Sequence, residues 1–489
     1  MTPPFFRASR RSVGWRRLAE HVGIDVRALA ALRISLGVLL LADLSLRSRH
    51  LVAFYTDAGV LPRSALQTMY PRLSHLSLHA LSGSAWMQGV LFFVAGVAAL
   101  ALLVGYRTRV ATLCLLLLLV SLHIRNPLVL SAGDVLLRRL LFWSLFLPLG
   151  ARWSVDSREL TAPQASRVVS MATVGLLVQT IVVYSVNAVL KLRGDAWTAG
   201  TAIQSVFQVD YLTVFLGDEL AQFPTLLSVF GTLWLVLVIC APLLVVLRGR
   251  ARTALALLFV GMHVGMALTL RIGLFPLVSI ASLLVFFPAG VWNQVERTTA
   301  TMVSRSRGSR SDLSSHDEPE ITAHPLRTRA VTILATLVIV VMLLVNATAL
   351  GVVAIPTERG EAVAPDSTPW RMFAPTPPNE DSWFVAPGRL ESGGQVDAFQ
   401  EGAVSWTRPV EVSGAYPSAR WRKYLEHVEN REVSDPGNLA TYLCHRWNAN
   451  HDTTLQTVSV VQLEHSAQAD SEKPRSRTVV ANQSCVPQS

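Results

Sequence analysis

Apolar runs of roughly 17 to 25 residues with few charges recur along this chain, the length a helix needs to cross a hydrocarbon layer. About nine are predicted, near 28–46, 86–105, 110–123, 134–150, 168–190, 224–247, 253–270, 277–292 and 330–354. The third and eighth are short, and RIGLFP at 271–276 alone divides the seventh from the eighth. Beyond residue 355 the pattern changes. SWFVA and LQTVSVVQLEH read as strands among Pro and Gly turns, and RWRKYLEHVENREV has a helical period. The expected fold is an all-α polytopic membrane bundle of about nine transmembrane helices, with a small α+β C-terminal domain on the outer face. The expected division is a basic cytoplasmic N-terminus at 1–26, a membrane domain at 27–292, a Ser/Arg-rich cytoplasmic linker at 293–329, a last helix at 330–354 and the outer domain at 355–489.

Composition agrees with a membrane protein: 51% of the 489 residues are hydrophobic and 16% charged. A net charge of +10 would suggest a nucleic-acid partner in a soluble chain. Here the arginines stand in short loops beside apolar blocks, where they set topology, so the expected partner is the lipid bilayer and not nucleic acid. Arg7, Arg10, Arg11, Arg16 and Arg17 precede the first run, Arg107 and Arg109 follow the second, and Arg152, Arg158 and Arg167 follow the fourth. Arg248, Arg250 and Arg252 follow the sixth, and Arg297, Arg305, Arg307, Arg310, Arg327 and Arg329 follow the eighth. These loops fall on one side, which predicts a plasma (inner) membrane protein with a cytoplasmic N-terminus and an extracytoplasmic tail; Arg47, Arg49, Arg63 and Arg72 weaken the contrast. The first run lacks an A-x-A cleavage site and reads as a retained helix. Cys444 and Cys485 share the tail, where an oxidising compartment allows a disulfide, with two free thiols as the alternative.

Polar residues inside the apolar runs are costly and mark candidate sites. The expected outer level gathers Asp43, then His123, Arg125, Asn126 and Asp134 between the third and fourth runs, and Tyr184, Asn187 and Lys191 in the fifth; His263 in the seventh lies deeper. Each has a plain reading. Lys191 could snorkel, His263 could bond a neighbouring carbonyl, and Asp43 with Arg47 and Asp134 with Arg138 have ion-pair spacing along a helix. In the tail, Trp370, Phe373, Trp383, Phe384, Trp406, Trp421 and Trp447 read as its core. The tail shows no nucleophile–base pattern or metal-ligand spacing and reads as a recognition or structural element, and no metal is expected.

Several strings, in order, carry a resemblance: ALRISLGVLLLADLSLR, FYTDAGVLPR, HIRNPLVLSAGD, LFWSLFLPLGARWSVDS, NAVLKLRGDAWTAGTAI and HVGMALTLRIGLFPLVSI. Together, over roughly 20–292, they resemble the horizontally transferred transmembrane (HTTM) domain family, whose animal relative is vitamin K-dependent γ-glutamyl carboxylase. The tail, with WRMFAPTPP and RWRKYL, resembles the outside region of bacterial members. The resemblance implies a reaction in which a reduced quinone and oxygen generate a base that removes a proton from a peptide glutamate, so that carbon dioxide adds. Lys191 matches the lysine that deprotonates the hydroquinone, and an amine kept from water suits that role. His263 matches a membrane histidine, and Asp134 stands near the carboxylase's Asn-His pair, where this chain has Gly133-Asp134. The catalytic candidates are therefore Lys191, His263 and Asp134, and the pocket candidates are His123, Arg125, Asn126, Tyr184, Asn187 and Trp197, with a reduced quinone as cofactor. One extra residue separates Lys191 from Trp197, and the carboxylase's large outside domain has no counterpart.

The function expected is quinone-dependent modification of glutamate or another group of a secreted peptide or protein. Two alternatives stand beside it: a non-catalytic membrane partner in maturation or export of a secreted peptide, and a small-molecule transporter. The transporter would carry inverted repeats and broken helices, which the sequence does not display.

Overall fold

The computed structural model describes residues 21–159, 166–307, 325–353, 370–433, 435–466 and 474–485. The arginines before residue 21 and residues 308–324 of the Ser/Arg-rich linker lie outside the described residues. The principal helices of the bundle are α1 (Val26–Ser48), α2 (Ala85–Val104), α3 (Thr108–Arg125), α4 (Ala132–Ser144), α5 (Met171–Leu192), α6 (Pro224–Ile239), α7 (Gly249–Thr269), α8 (Phe275–Leu283), α9 (Ala289–Arg307) and α10 (Pro325–Ala349).

Among the described residues six helices are long and apolar enough to cross a membrane: α1, α2, α3, α5, α7 and α10 over 329–349. A seventh crossing exists if Phe275–Phe286 and Ala289–Thr301, bent by 106° at their junction, form one span. The expected count of about nine is thus not reached by helices of spanning length. Two of the expected runs fall short for local reasons. The run at 134–150 leaves the helix after Ser144, and the run at 224–247 breaks at Cys240 before Pro242, where the ring cannot continue the hydrogen-bond ladder. The bent pair is also a broken helix of the kind the sequence does not display. α9 carries the helix through to Arg307, where the linker was expected to have begun.

Helix starts follow from caps. The Asp25 carboxylate accepts from Arg27 N at 2.9 Å and starts α1, and Ser131 and Ser170 form reciprocal capping boxes with Asp134 and Thr173 at α4 and α5. α1 and α2 approach closely at Gly37, where a Cβ would lie 2.8 Å from Leu103. Asp156, from the WSVD string, accepts from Arg107 N at 2.7 Å and from Thr108 N at 2.8 Å, closing the start of α3.

Long-range contacts sort the loops into two ends. Arg27 meets Asn293 and Glu296, Arg33 donates to Trp153 O, and His21 meets Val245 O, so the arginine-bearing loops gather at one end. The tail domain covers the other end. There Phe54, Val60, Leu61, Leu128 and Val129 of the bundle share one apolar core with Trp383, Trp421 and Tyr424 of the tail.

The tail is the expected small α+β domain. Its strands are β1 (Glu380–Val385), β2 (Pro387–Leu390), β3 (Gln395–Asp397), β4 (Leu455–Ser466) and β5 (Ser476–Ser484). Its two longer helices are α11 (Ala419–Glu429) and α12 (Gly437–Asn450). β4 is central: β1 and β2 pair antiparallel along one edge, β3 adds to β2, and β5 pairs along the other edge. A register shift between Val460 and Val461 turns both side chains inward. Cys444 of α12 and Cys485 beyond β5 form a disulfide. Two aromatic residues expected in this core lie elsewhere: Trp370 is packed in the bundle core, and Phe373 packs against a cluster around Trp197 and Ile203.

Candidate functional site at the tail end of the bundle

The polar residues singled out in the sequence divide into two neighbourhoods. The first is an ion cluster. Arg47, fully buried, donates from Nε to Asp43 at 2.7 Å, from Nη1 to Tyr55 OH at 2.6 Å and from Nη2 to Asp134 at 2.5 Å. Arg420 of α11 reaches in from the tail, bonding Asp43 and lying 3.0 Å from the Asp134 carboxylate. His123 is held between Arg47 and Arg138, with Nε2 3.3 Å from the first and Nδ1 3.3 Å from the second. Asp134 pairs with Arg47 and Arg420, whereas the helix spacing pointed to Arg138; the two partners come from other elements and outcompete the residue one turn away. Asp43 and Arg47 do make the pair their spacing suggests. Two carboxylates facing guanidinium groups in a dry site form a structural lock and leave Asp134 no free oxygen for proton transfer.

Arg125 and Asn126 bond mainly to backbone, and Arg125 also pairs with Asp57 at 3.7 Å. Arg125 donates to Leu61 O at 2.8 Å and Thr56 O at 3.0 Å, and Asn126 donates to Phe54 O at 2.9 Å. They fix the loop of the FYTDAGVLPR string against α3.

The second neighbourhood lies between α5, α6 and α7. Lys191, in the last turn of α5, is fully buried, and its Nζ has no hydrogen-bond partner among the described residues. It stands 2.9 Å from the centroid of the Trp197 ring and 4.4 Å from that of Trp234. The indoles themselves meet edge to face, centroids 5.5 Å apart. Deeper in the bundle, Tyr184 and His263 approach at 3.5 Å, and His263 Nδ1 donates to Phe259 O at 3.0 Å, the carbonyl bond expected of a packed histidine. That bond leaves Nε2 as the acceptor facing Tyr184.

Tyr184, Asn187, Trp234, His263 and Phe275 line a cavity of about 20 Å³, closed by Trp370 and Met372. Asn187 donates from Nδ2 to Trp370 O at 2.9 Å and Met372 O at 3.3 Å, and Trp197 donates from Nε1 to Phe373 O at 2.6 Å. Such a space admits about one water molecule. A quinone ring does not fit it while Trp370 and Met372 line it, and Lys191 stands behind Trp234, outside the lining. Asp134, Lys191 and His263 therefore do not face one cavity: Asp134 belongs to the ion cluster, while Lys191 and His263 share only the Trp234 wall.

Three participants escaped the sequence reading. Trp234 resembles any lipid-facing aromatic residue in an apolar run. Arg420 sits in a helix legible as amphipathic but with no sign of what it meets. The aromatic run at 370–373 looked like tail core because nothing local says that it turns back into the bundle. Among the described residues no group of His, Cys, Asp and Glu is arranged to hold a metal ion.

No curated protein and no solved structure matches the chain. The family model described as the HTTM domain matches residues 22–292, from the cap of α1 to the start of α9 and more than half of the chain. The matched segment contains Lys191, Trp197, Trp234 and His263 together with all but Arg420 of the ion cluster, and so the chain belongs to the HTTM-domain family, through which its relation to γ-glutamyl carboxylase is implied.

Proposed function

We propose that this integral membrane protein is a carboxylase-like enzyme that modifies glutamate or another group of a secreted peptide or protein, with Lys191 as its base. The observation that carries the reading is the setting of Lys191, whose Nζ is buried, has no hydrogen-bond partner among the described residues and faces two indole rings. A snorkelling lysine would reach the headgroups, and a structural one would be paired with a carboxylate. An unbonded amine can instead accept a proton from an acidic O–H, such as that of the reduced quinone the resemblance implies: the new N–H bond forms on the nitrogen lone pair, and the oxygen keeps the bonding electrons. The resulting ammonium is held by the faces of Trp197 and Trp234, an attraction of about 1 to 2 kcal/mol in a dry site. His263, fixed through Phe259 O, orients Tyr184 at the cavity wall. The resemblance implies a reduced quinone as the group that Lys191 would deprotonate, and a quinone entering the cavity beside Trp234 would have to displace Trp370 and Met372.

The reading places the arginine-bearing end in the cytoplasm and the tail outside, in the plasma membrane; the arginine-rich loops and the disulfide in the tail support it. The test is mass spectrometry of secreted peptides and proteins from cells carrying the wild-type chain or Lys191→Met. The modified species should vanish with the variant, and identical masses would overturn the reading. A non-catalytic maturation partner is the second reading, favoured by the hold of Asn187 and Trp197 on a peptide main chain; it expects secretion of the partner to survive Lys191→Met unchanged.

A further inference from the structure

Residues 370–373 are held in the bundle by their carbonyl groups. Asn187 Nδ2 meets two of them, at Trp370 and Met372, and Trp197 Nε1 meets a third at Phe373. At the next step Gly194 lies so close to the chain that a Cβ there would stand 2.0 Å from Pro375 O. Side-chain donors spaced along a wall and aimed at successive carbonyls read a main chain whatever its sequence, which is how proteins commonly hold extended peptides.

Two further observations separate this seat from a plain anchor. The tail is already fixed to the bundle without it, through Arg420 on Asp43 and Asp134, through Arg271 on Ser413 O and through Tyr424 OH on Val60 O at 3.4 Å. The occupant also fits imperfectly: the buried Trp370 Nε1 has no hydrogen-bond partner among the described residues, and Trp370 lies under Arg139, whose guanidinium is 5.1 Å from the ring centroid. An aromatic side chain without an N–H would satisfy the same pocket with no orphaned donor.

We propose that the groove beside α5 is a binding site for an extended peptide with an aromatic side chain, occupied in this structure by the chain's own residues 370–373, and that a peptide in trans takes the same seat. The inference rests on the reading that the cavity near Lys191 is the working site, and it names what enters there. The internal segment competes at the high effective concentration of a tethered ligand, so a free peptide binds well only when the tether's grip is weakened.

The experiment uses the full chain in lipid nanodiscs and a fluorescent synthetic peptide, PFRMFAPT, which copies 369–376 with Phe in place of Trp370. Trp370→Ala with Met372→Ala should raise its affinity about ten-fold over wild type, and adding Asn187→Ala should remove that gain. Equal affinity for wild type and the double variant, or no binding to either, would mean that the segment is an anchor only. Should the double variant lose its fold, Met372→Cys in the otherwise unchanged chain reads the same displacement: the peptide should speed maleimide labelling at that position several-fold over the peptide-free rate. An unchanged labelling rate overturns the proposal. Lys191→Met separates this inference from the base reading, since it should abolish modification and leave peptide binding intact.

Discussion

The guanidinium of Arg420 lies 3.0 Å from the carboxylate of Asp134, joining the tail domain to the bundle at a dry interface. Arg420 also bonds Asp43, so one side chain offsets part of the charge of two buried acids. Removing it leaves Arg47 alone against both.

Arg420→Ala should therefore destabilise the docked tail by about 3 to 5 kcal/mol, the cost of orphaning a buried charge. Arg420→Lys should recover only part of this, because an ammonium cannot reproduce the fork that reaches both acids. Thermal unfolding in detergent, with limited proteolysis between the bundle and the tail, measures it. A variant with unaltered unfolding and unaltered cleavage would show the cluster to be dispensable.

At Lys191 the choice of substitution separates packing from chemistry. Lys191→Met keeps an unbranched side chain against Trp197 and Trp234 and should change stability by less than about 1.5 kcal/mol while abolishing modification. Lys191→Ala leaves a void between the indoles and should cost about 2 to 4 kcal/mol as well. Melting curves paired with secreted-product masses distinguish the two.

The disulfide between Cys444 and Cys485 closes a loop of 41 positions. In the chain-entropy description that closure contributes about 4 kcal/mol. Paired replacement of both cysteines by serine should lower the unfolding midpoint of the tail, and reducing agent should lower the wild type to the same value; reduction without effect would mean that the loop is already ordered by β5.

Glu429 supplies a pH dependence. Burial, then the charges of Glu464 and Glu426, push its carboxyl up to about 7, against a smaller opposing effect from Ser382. The folded tail thus keeps a proton that the unfolded chain releases near pH 4.5. Its contribution is complete below that value and is lost as pH rises towards 7, so stability falls across the interval. Glu429→Gln should flatten the slope and raise the midpoint above pH 7, as read by tail unfolding at a series of pH values. An unchanged slope would assign the dependence to another group.

Much of this molecule is written locally. Long apolar runs between arginines specify membrane helices because an unpaired backbone cannot enter lipid, and Ser131 and Ser170 mark helix starts because their hydroxyls satisfy exposed N–H groups. Alternation in LQTVSVVQLEH specifies β4, and the matching strings place Lys191, Trp197 and His263 in the HTTM domain. Length alone could not say that α4 and α6 stop short, since Ser144 and Cys240 end helices inside runs that remain apolar. Nor could spacing decide which charges meet. Asp134 passes over Arg138, one turn away, for Arg47 and Arg420, because buried ion pairs are chosen by geometry in three dimensions and not by distance along the chain. The seat of residues 370–373 is the clearest case: an aromatic run has the same composition whether it fills its own domain or a neighbouring cavity, and only the packed bundle, with Asn187 and Trp197 aimed at its carbonyls, decides between them.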